Sequence, residues 1–260
     1  QHKMTKIISY NVNGIRAALK KDWTGWVKSV DPDIICVQET KAHMRVMDGA
    51  EFRPQGYHCY YFDAVKKGYS GVGIFCRREP DKISTGLGWS HADDEGRYIQ
   101  ADFGKLSVAS LYMPSGSSGP ERQDVKFDFL DHYMQALKKI RQLNRSVIIC
   151  GDWNIVHKEI DIKNFKSNQK SSGCLPEERA WLDDVFNKVG FVDAFRVVNQ
   201  KPDQYTWWSN RGRAYEKNVG WRIDYQIITP DLKNKVQKAS IYKTKRFSDH
   251  APLIVDYDDV

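Results

Sequence analysis

The sequence lacks any Pro/Ser-rich linker, low-complexity run or solenoid-type repeat along its 260 residues. A chain of that length without a compositional break reads as a single domain, 4–260, with room for a large core. It also lacks an apolar stretch near the roughly 20 residues that span a membrane, and its N-terminus has no signal-peptide core. No membrane association is expected, and the chain reads as a soluble, non-exported protein of the cytoplasm. Gln1-His2-Lys3 stand before Met4 and read as an appended remnant, since the first strand pattern begins only at Lys6.

Cysteine is scarce and unpatterned. Cys36, Cys59, Cys76, Cys150 and Cys174 make an odd count without zinc-type spacing, and no nearby base marks any of them as a nucleophile. Buried free thiols in a reducing compartment are expected, which excludes a disulfide framework. Nor is charge strongly one-sided: 40 Lys+Arg against 33 Asp+Glu leave a formal +7. That excess favours an anionic partner only modestly. More pointed are two loops that mix cations, aromatic rings and glycine, "AVKKGYSG" (64–71) and "YTWWSNRGRAYEKNVGWR" (205–222). Such loops supply charges for phosphates and flat surfaces for bases or sugars, although a packed aromatic cluster with basic neighbours would look the same.

What is present is a series of short apolar runs separated by turn signals: 6–12, 33–39, 57–64, 71–77, 97–103, 106–113, 147–150, 222–229 and 251–257. Their length and β-branched or aromatic content predict strands. Helices are predicted over 121–144, where Phe127, Leu130, Tyr133, Met134, Leu137 and Ile140 recur at helical spacing behind Pro120, over 177–188 behind Pro176, and over 23–29. Some connections are hairpin-length and others contain a helix, so the chain is α/β with mixed sheets.

The strands share an ending. "SVIICGDWNI" (146–155) runs from a β-branched core directly into Asp152 and Asn154. Asn11 and Asn13 follow the first run, Glu39 the second, Tyr112 another, while Asp224 sits in "RIDYQ" and Asp249-His250 precede the last. Singly, each is as readily a cap or a satisfied core group. Together they form a carboxylate cluster with one histidine, too few cations to neutralise itself. Oxygen ligands without cysteine suit magnesium or manganese better than zinc, and a divalent cation beside an anionic substrate describes metal-assisted phosphate-ester chemistry.

The strings "NVNGIRA", "VQETK", "GYSGVGIF", "EGRYIQADF", "LYMPSGS", "CGDWNIVHKEIDIKN", "SGCLPEERAW", "YTWWS", "NVGWRIDYQ" and "SDHAPL" follow one another in this order. In that order they resemble the exonuclease III class of abasic-site (AP) endonucleases, within the endonuclease/exonuclease/phosphatase superfamily that also holds DNase I-like enzymes. The resemblance runs from Lys6 to Tyr257 and implies a four-layered α/β sandwich with two central mixed β-sheets flanked by helices. It implies Mg2+ as cofactor, with Mn2+ as a substitute, held principally by Glu39 with Asn13 and Asp249 close by and Asp152 and Asn154 at a second position. Asp152 matches the acid near the attacking water and Asn154 the group that orients it. His250 paired with Asp224 matches the histidine set against the scissile phosphate, and Tyr112 and Asn11 match groups that hold phosphate oxygens or order the acids. Asp152, a metal-bound hydroxide or His250 would each serve as base; Asp152 is preferred, with His250 as hydrogen-bond donor.

DNA contacts implied by the same resemblance are Tyr69, Arg97, Asn164, Asn168, Ser171 and Arg211, with Trp207 and Trp221 as walls of an abasic-sugar pocket. Some relatives carry Asn where Ser171 stands and an apolar wedge where Arg211 stands. The expected function is therefore hydrolysis of the phosphodiester 5′ of abasic sites in double-stranded DNA, with 3′-exonuclease and 3′-phosphatase activities. The competing reading is a paralogue specialised for blocked 3′ ends with little internal incision. A monomer is expected, associated with the nucleoid if the source is prokaryotic.

Overall fold

The structure, a computed structural model, describes residues 3–260; Gln1 and His2 of the expected remnant lie outside them. Two six-stranded sheets form its centre. The first runs in the order Val236–Ile241, Leu253–Asp258, Met4–Asn11, Ile34–Gln38, Val72–Cys76, His58–Phe62. The second runs Lys82–Thr85, Tyr98–Phe103, Leu106–Tyr112, Ser146–Asp152, Asp224–Ile228, Val192–Asp193. Each is mixed in the same way: one central parallel pair, Met4–Asn11 with Ile34–Gln38 and Leu106–Tyr112 with Ser146–Asp152, flanked by antiparallel neighbours.

Burial explains the sequence patterns. Ile7, Cys36, Ile74, Val108, Ile148 and Val255 meet between the sheets. The outer face of the first sheet packs Ile8, Ile35 and Phe75 against Trp23 and Trp26 of the helix Trp23–Val30. The outer face of the second packs Ile149 and Tyr225 against Phe129, Tyr133 and Leu182 of the helices Pro120–Gln142 and Pro176–Asn187. Strands covered on both faces have no polar side to show, so Val147 to Cys150 read as a continuous apolar run. The result is the helix–sheet–sheet–helix sandwich that was expected, and all five cysteines are buried free thiols. Among the described residues no helix is long and apolar enough to cross a membrane.

The structure adds elements without an apolar signature. The edge strands Lys82–Thr85 and Val236–Ile241 bury one face at most, and the helix Ile15–Lys20 is too short to show a period. The strand expected over 222–229 begins only at Asp224, because Arg222 and Ile223 turn into it from the hairpin Trp207–Trp208/Gly220–Trp221.

Candidate active site

Polar groups gather where the central strands of both sheets end. Across the second sheet Tyr112 pairs with Asp152 and Asp152 with Asp224, so three functional groups stand in one row. Gly151 makes the row possible, since an added Cβ would lie 2.2 Å from the Leu111 carbonyl oxygen. In the first sheet Asn11 pairs with Gln38, and the chain continues into Asn13 and Glu39. Asn13, Glu39 and Asn154 all have left-handed backbone (φ 43, 56 and 52), a sparsely populated conformation that turns each chain sharply out of its strand. The turns are tied together: Val12 N–H donates to Gln38 O (3.0 Å) and Gly14 N–H to Glu39 O (2.8 Å). Asn11, wholly buried, links the sheets by donating from Nδ2 to Asp152 Oδ2 at 2.9 Å.

Asp152 Oδ1 accepts the Asn154 N–H at 3.0 Å, while Asn154 Nδ2 is held by the Met113 carbonyl at 2.7 Å. His250 Nδ1 lies 2.8 Å from Asp224 Oδ2, and its Nε2 points towards Asp152 Oδ2 at 3.6 Å, too long for a hydrogen bond. Burial, and next the charge of Asp224, push Asp152 up to about 7, against the pull of His250 and the Asn11 amide. Burial works against a charged His250, but Asp224 and Asp152 outweigh it and raise its pKa to about 10. Burial, with Glu39 and Asp152 nearby, keeps the Tyr112 phenol protonated well above its ordinary range. The row thus offers a carboxylate that exchanges a proton near neutrality beside an imidazolium and a phenol that donate.

Two acid groups compete as a cation site. Asp152, Asp224 and His250 converge closely enough to hold an ion, although His250 Nδ1 is already engaged by Asp224 Oδ2 at 2.8 Å. At the mouth, Glu39, Asn13 and Asp249 offer carboxylate and amide oxygens, with no sulfur or imidazole among them. There Lys41 Nζ stands 2.7 Å from Asn13 Oδ1 and 3.3 Å from Glu39 Oε2, while Asn13 Nδ2 donates to Asp249 Oδ1 at 3.1 Å. An oxygen cluster that attracts the chain's own ammonium fits a hard divalent cation. Lys41 was not singled out from the sequence, though it lies in "VQETK"; neither was Ser248, whose hydroxyl donates to Asn11 O (2.6 Å) and accepts the His250 N–H (3.1 Å).

A cleft of about 830 Å³ opens over these groups and reaches Ser171, Trp207 and Trp221. The two indoles face each other across their hairpin, edge to face at 5.8 Å, and Trp207 Nε1 donates to Asp249 Oδ2 at 3.1 Å. The other expected contacts are spread more widely. Arg97 is only 2% exposed, and its guanidinium is taken up by Glu95, the Tyr112 carbonyl and the Tyr69 hydroxyl. It therefore steadies Tyr112 and Tyr69 from beneath, with Arg122 as a second donor to Tyr69. Asn164 and Asn168 stand on the adjoining turn, where Asn168 accepts the Ser171 hydroxyl at 3.0 Å. Arg211 is exposed on the turn between the two short hairpin strands, outside the cleft wall.

A family model described as Endonuclease/Exonuclease/phosphatase family matches residues 8–250. An exodeoxyribonuclease of Bacillus subtilis (strain 168) is 41% identical over 253 residues, covering 95% of this chain and 97% of its own. A DNA-(apurinic or apyrimidinic site) endonuclease of Dictyostelium discoideum is 35% identical over 261 residues, 99% of this chain and 72% of its own. Among solved structures, an AP endonuclease from Archaeoglobus fulgidus superimposes with a TM-score of 0.88 at 30% identity, covering 98% of this chain and 100% of that one.

Proposed function

The chain belongs to the Endonuclease/Exonuclease/phosphatase family, and from that premise we propose that it is a DNA-repair phosphodiesterase cutting 5′ of abasic sites in double-stranded DNA. Supporting activities on 3′ ends, exonuclease and phosphatase, would use the same groups. The observation that carries the reading is Asp152, a buried carboxylate with its pKa near 7, mounted on a strand end beside the Asp224–His250 pair. In-line displacement needs a proton acceptor for water and donors for the phosphoryl oxygens. Asp152 takes the proton of the attacking water, which the Asn154 side chain helps to orient. The new P–O bond forms as the bond to the leaving O3′ breaks and that oxygen takes up a proton from solvent in the open cleft, while His250 and Tyr112 donate to the non-bridging oxygens and Asp152 later releases its proton to solvent.

Glu39, Asn13 and Asp249 would hold the cation, with Asp152 and Asn154 as a second position. When bound, magnesium or manganese supplies positive charge against the phosphate and leaving oxygens. Trp207 and Trp221 form flat apolar walls that suit a sugar without its base. We read residues 4–260 as one domain acting as a monomer in the cytoplasm.

A 3′-end-specialised enzyme remains the second reading, favoured by Ser171, which is hydrogen-bonded to Asn168 within the protein, and by a charged Arg211. Labelled duplexes carrying an internal abasic analogue or a 3′-phosphate, each with magnesium or with EDTA, separate the two. Internal incision that needs the metal is expected. Brisk 3′-phosphate removal with an intact abasic duplex would decide for the second reading, and full activity in EDTA would remove the metal from both.

A further inference from the structure

Lys126 lies on the inward face of the helix Pro120–Gln142, one turn before Phe129 and Leu130, and is 1% exposed. An ammonium at such a position is strongly unfavourable without a partner. Its partner is Glu178, 0% exposed on the first turn of the helix Pro176–Asn187, whose Oε2 meets Lys126 Nζ directly. The pair does more than join two helices. Lys126 Nζ donates to the backbone carbonyl of Asn154 at 2.7 Å. Glu178 Oε1 accepts the N–H groups of Gly173 (2.7 Å) and Leu175 (3.1 Å), and Gln123 Nε2 reaches Oε2 at 3.4 Å.

Every backbone group held by the pair borders the cleft. Asn154, Gly173 and Leu175 line it, and Val156 N–H ties the two segments through Gly173 O at 2.8 Å. There is no slack between them and the indole: a Cβ added to Gly173 would lie 3.0 Å from Asn154 O and 3.1 Å from Trp221 Cζ3. A shift of Gly173 towards either neighbour would therefore press on the Asn154 carbonyl or the Trp221 ring. We propose that Lys126 and Glu178 are positioning residues for the sugar pocket. They lock the Asn154 turn and the Gly173–Leu175 segment against Trp221, so that an abasic sugar fits and an intact nucleotide is refused. This rests on the abasic-site reading, because only there does the shape of the pocket decide the substrate.

The test uses Glu178→Gln, which keeps an acceptor oxygen for the two N–H groups but breaks the ion pair. It adds the double variant Lys126→Met/Glu178→Gln, which removes both charges and leaves no unpaired one. Thermal melting and single-turnover incision at saturating DNA are measured on an abasic duplex and on the same duplex with an intact nucleotide. The double variant is expected to melt like the wild type yet to incise the abasic duplex about 10-fold or more slowly, the scale of a misplaced reacting group. The ratio of abasic to intact incision should narrow by a similar factor. Variants that melt normally with an unchanged rate and ratio would reduce the pair to a fold tie and overturn the proposal. So would a change confined to KM. If the double variant does not fold, Glu178→Gln is read by the same criteria. Wild-type protein inert on the abasic duplex would instead sink the abasic-site reading and overturn this proposal with it, an outcome distinct from an active wild type with unchanged variants.

Discussion

Asp152 and His250 need opposite protonation states to work together, and their surroundings supply them. Burial and Asp224 hold Asp152 near 7, while the two flanking carboxylates hold the imidazole charged up to about 10. Activity through this pair should rise with pH across about 7, as Asp152 loses its proton, and fall again near 10, as His250 loses its own. In kcat/KM profiles, His250→Asn should lower the maximum by at least ~10²-fold, the scale of a lost charge-stabilising group. It should also move the acidic limb to higher pH, because a cation that favours the Asp152 carboxylate is gone. Asp152→Asn should cost the chemical step as much with DNA binding preserved. An unmoved limb in His250→Asn would show that another group is the base. Residues such as these were legible because acids, amides and a histidine at strand ends contradict the apolar strands that carry them. Lys41 and Arg97 were less so: a lysine beside acids and an arginine in a strand look alike whether they face solvent or are held by carboxylates and phenols.

Among the elements, the hairpin that carries Trp207 and Trp221 is fixed from behind by a buried charge network. Arg222, 1% exposed, lies 2.8 Å from Asp161 and 2.6 Å from Asp193, and Arg196 reaches Asp161 at 2.7 Å. Burial disfavours a charged Asp161, but Arg222 and Arg196 outweigh it and hold the carboxyl at about 2, below the roughly 3.9 of an unfolded chain. A depressed folded pKa contributes stability that is complete above about 4 and disappears as pH falls towards about 2, on the order of 2–3 kcal/mol. Asp161→Asn should therefore be destabilised most at neutral pH, with the gap in urea denaturation closing between about pH 4 and pH 2; a gap independent of pH would deny Asp161 that role. The network was hidden in "HKEIDIKN" and "GWRIDY", since pairing over 61 positions leaves no periodic trace. Fully covered strands and the long helix behind Pro120 were visible as apolar runs and a helical stripe. The edge strands Lys82–Thr85, Val192–Asp193 and Val236–Ile241 were not, being short or exposed on one face, whereas the edge strand His58–Phe62 was visible through its aromatic content.

Over the whole molecule, the charge excess matters through where it lies. Lys41 and Lys170 line the cleft, and Arg211 is exposed on the turn of the hairpin whose Trp207 and Trp221 also line it. A guanidinium there reaches a phosphate but cannot fill a gap in the base stack. Arg211→Ala should weaken duplex binding and reduce the slope of log affinity against log salt by about one contact, measured by fluorescence titration over a salt series. An unchanged slope would place Arg211 away from the DNA. The sequence by itself determined the α/β class, the sandwich of covered strands and the acidic chemistry at their ends, because burial and strand-end polarity are local properties of a few successive residues. Tertiary structure decided the distances: that Asn11 of one sheet grips Asp152 of the other, that His250 Nε2 faces Asp152 while Nδ1 meets Asp224, and that Lys126 meets Glu178 under the cleft wall. Those outcomes depend on distances between residues far apart in the chain, and electrostatic interaction follows distance and burial, which residue order does not encode directly.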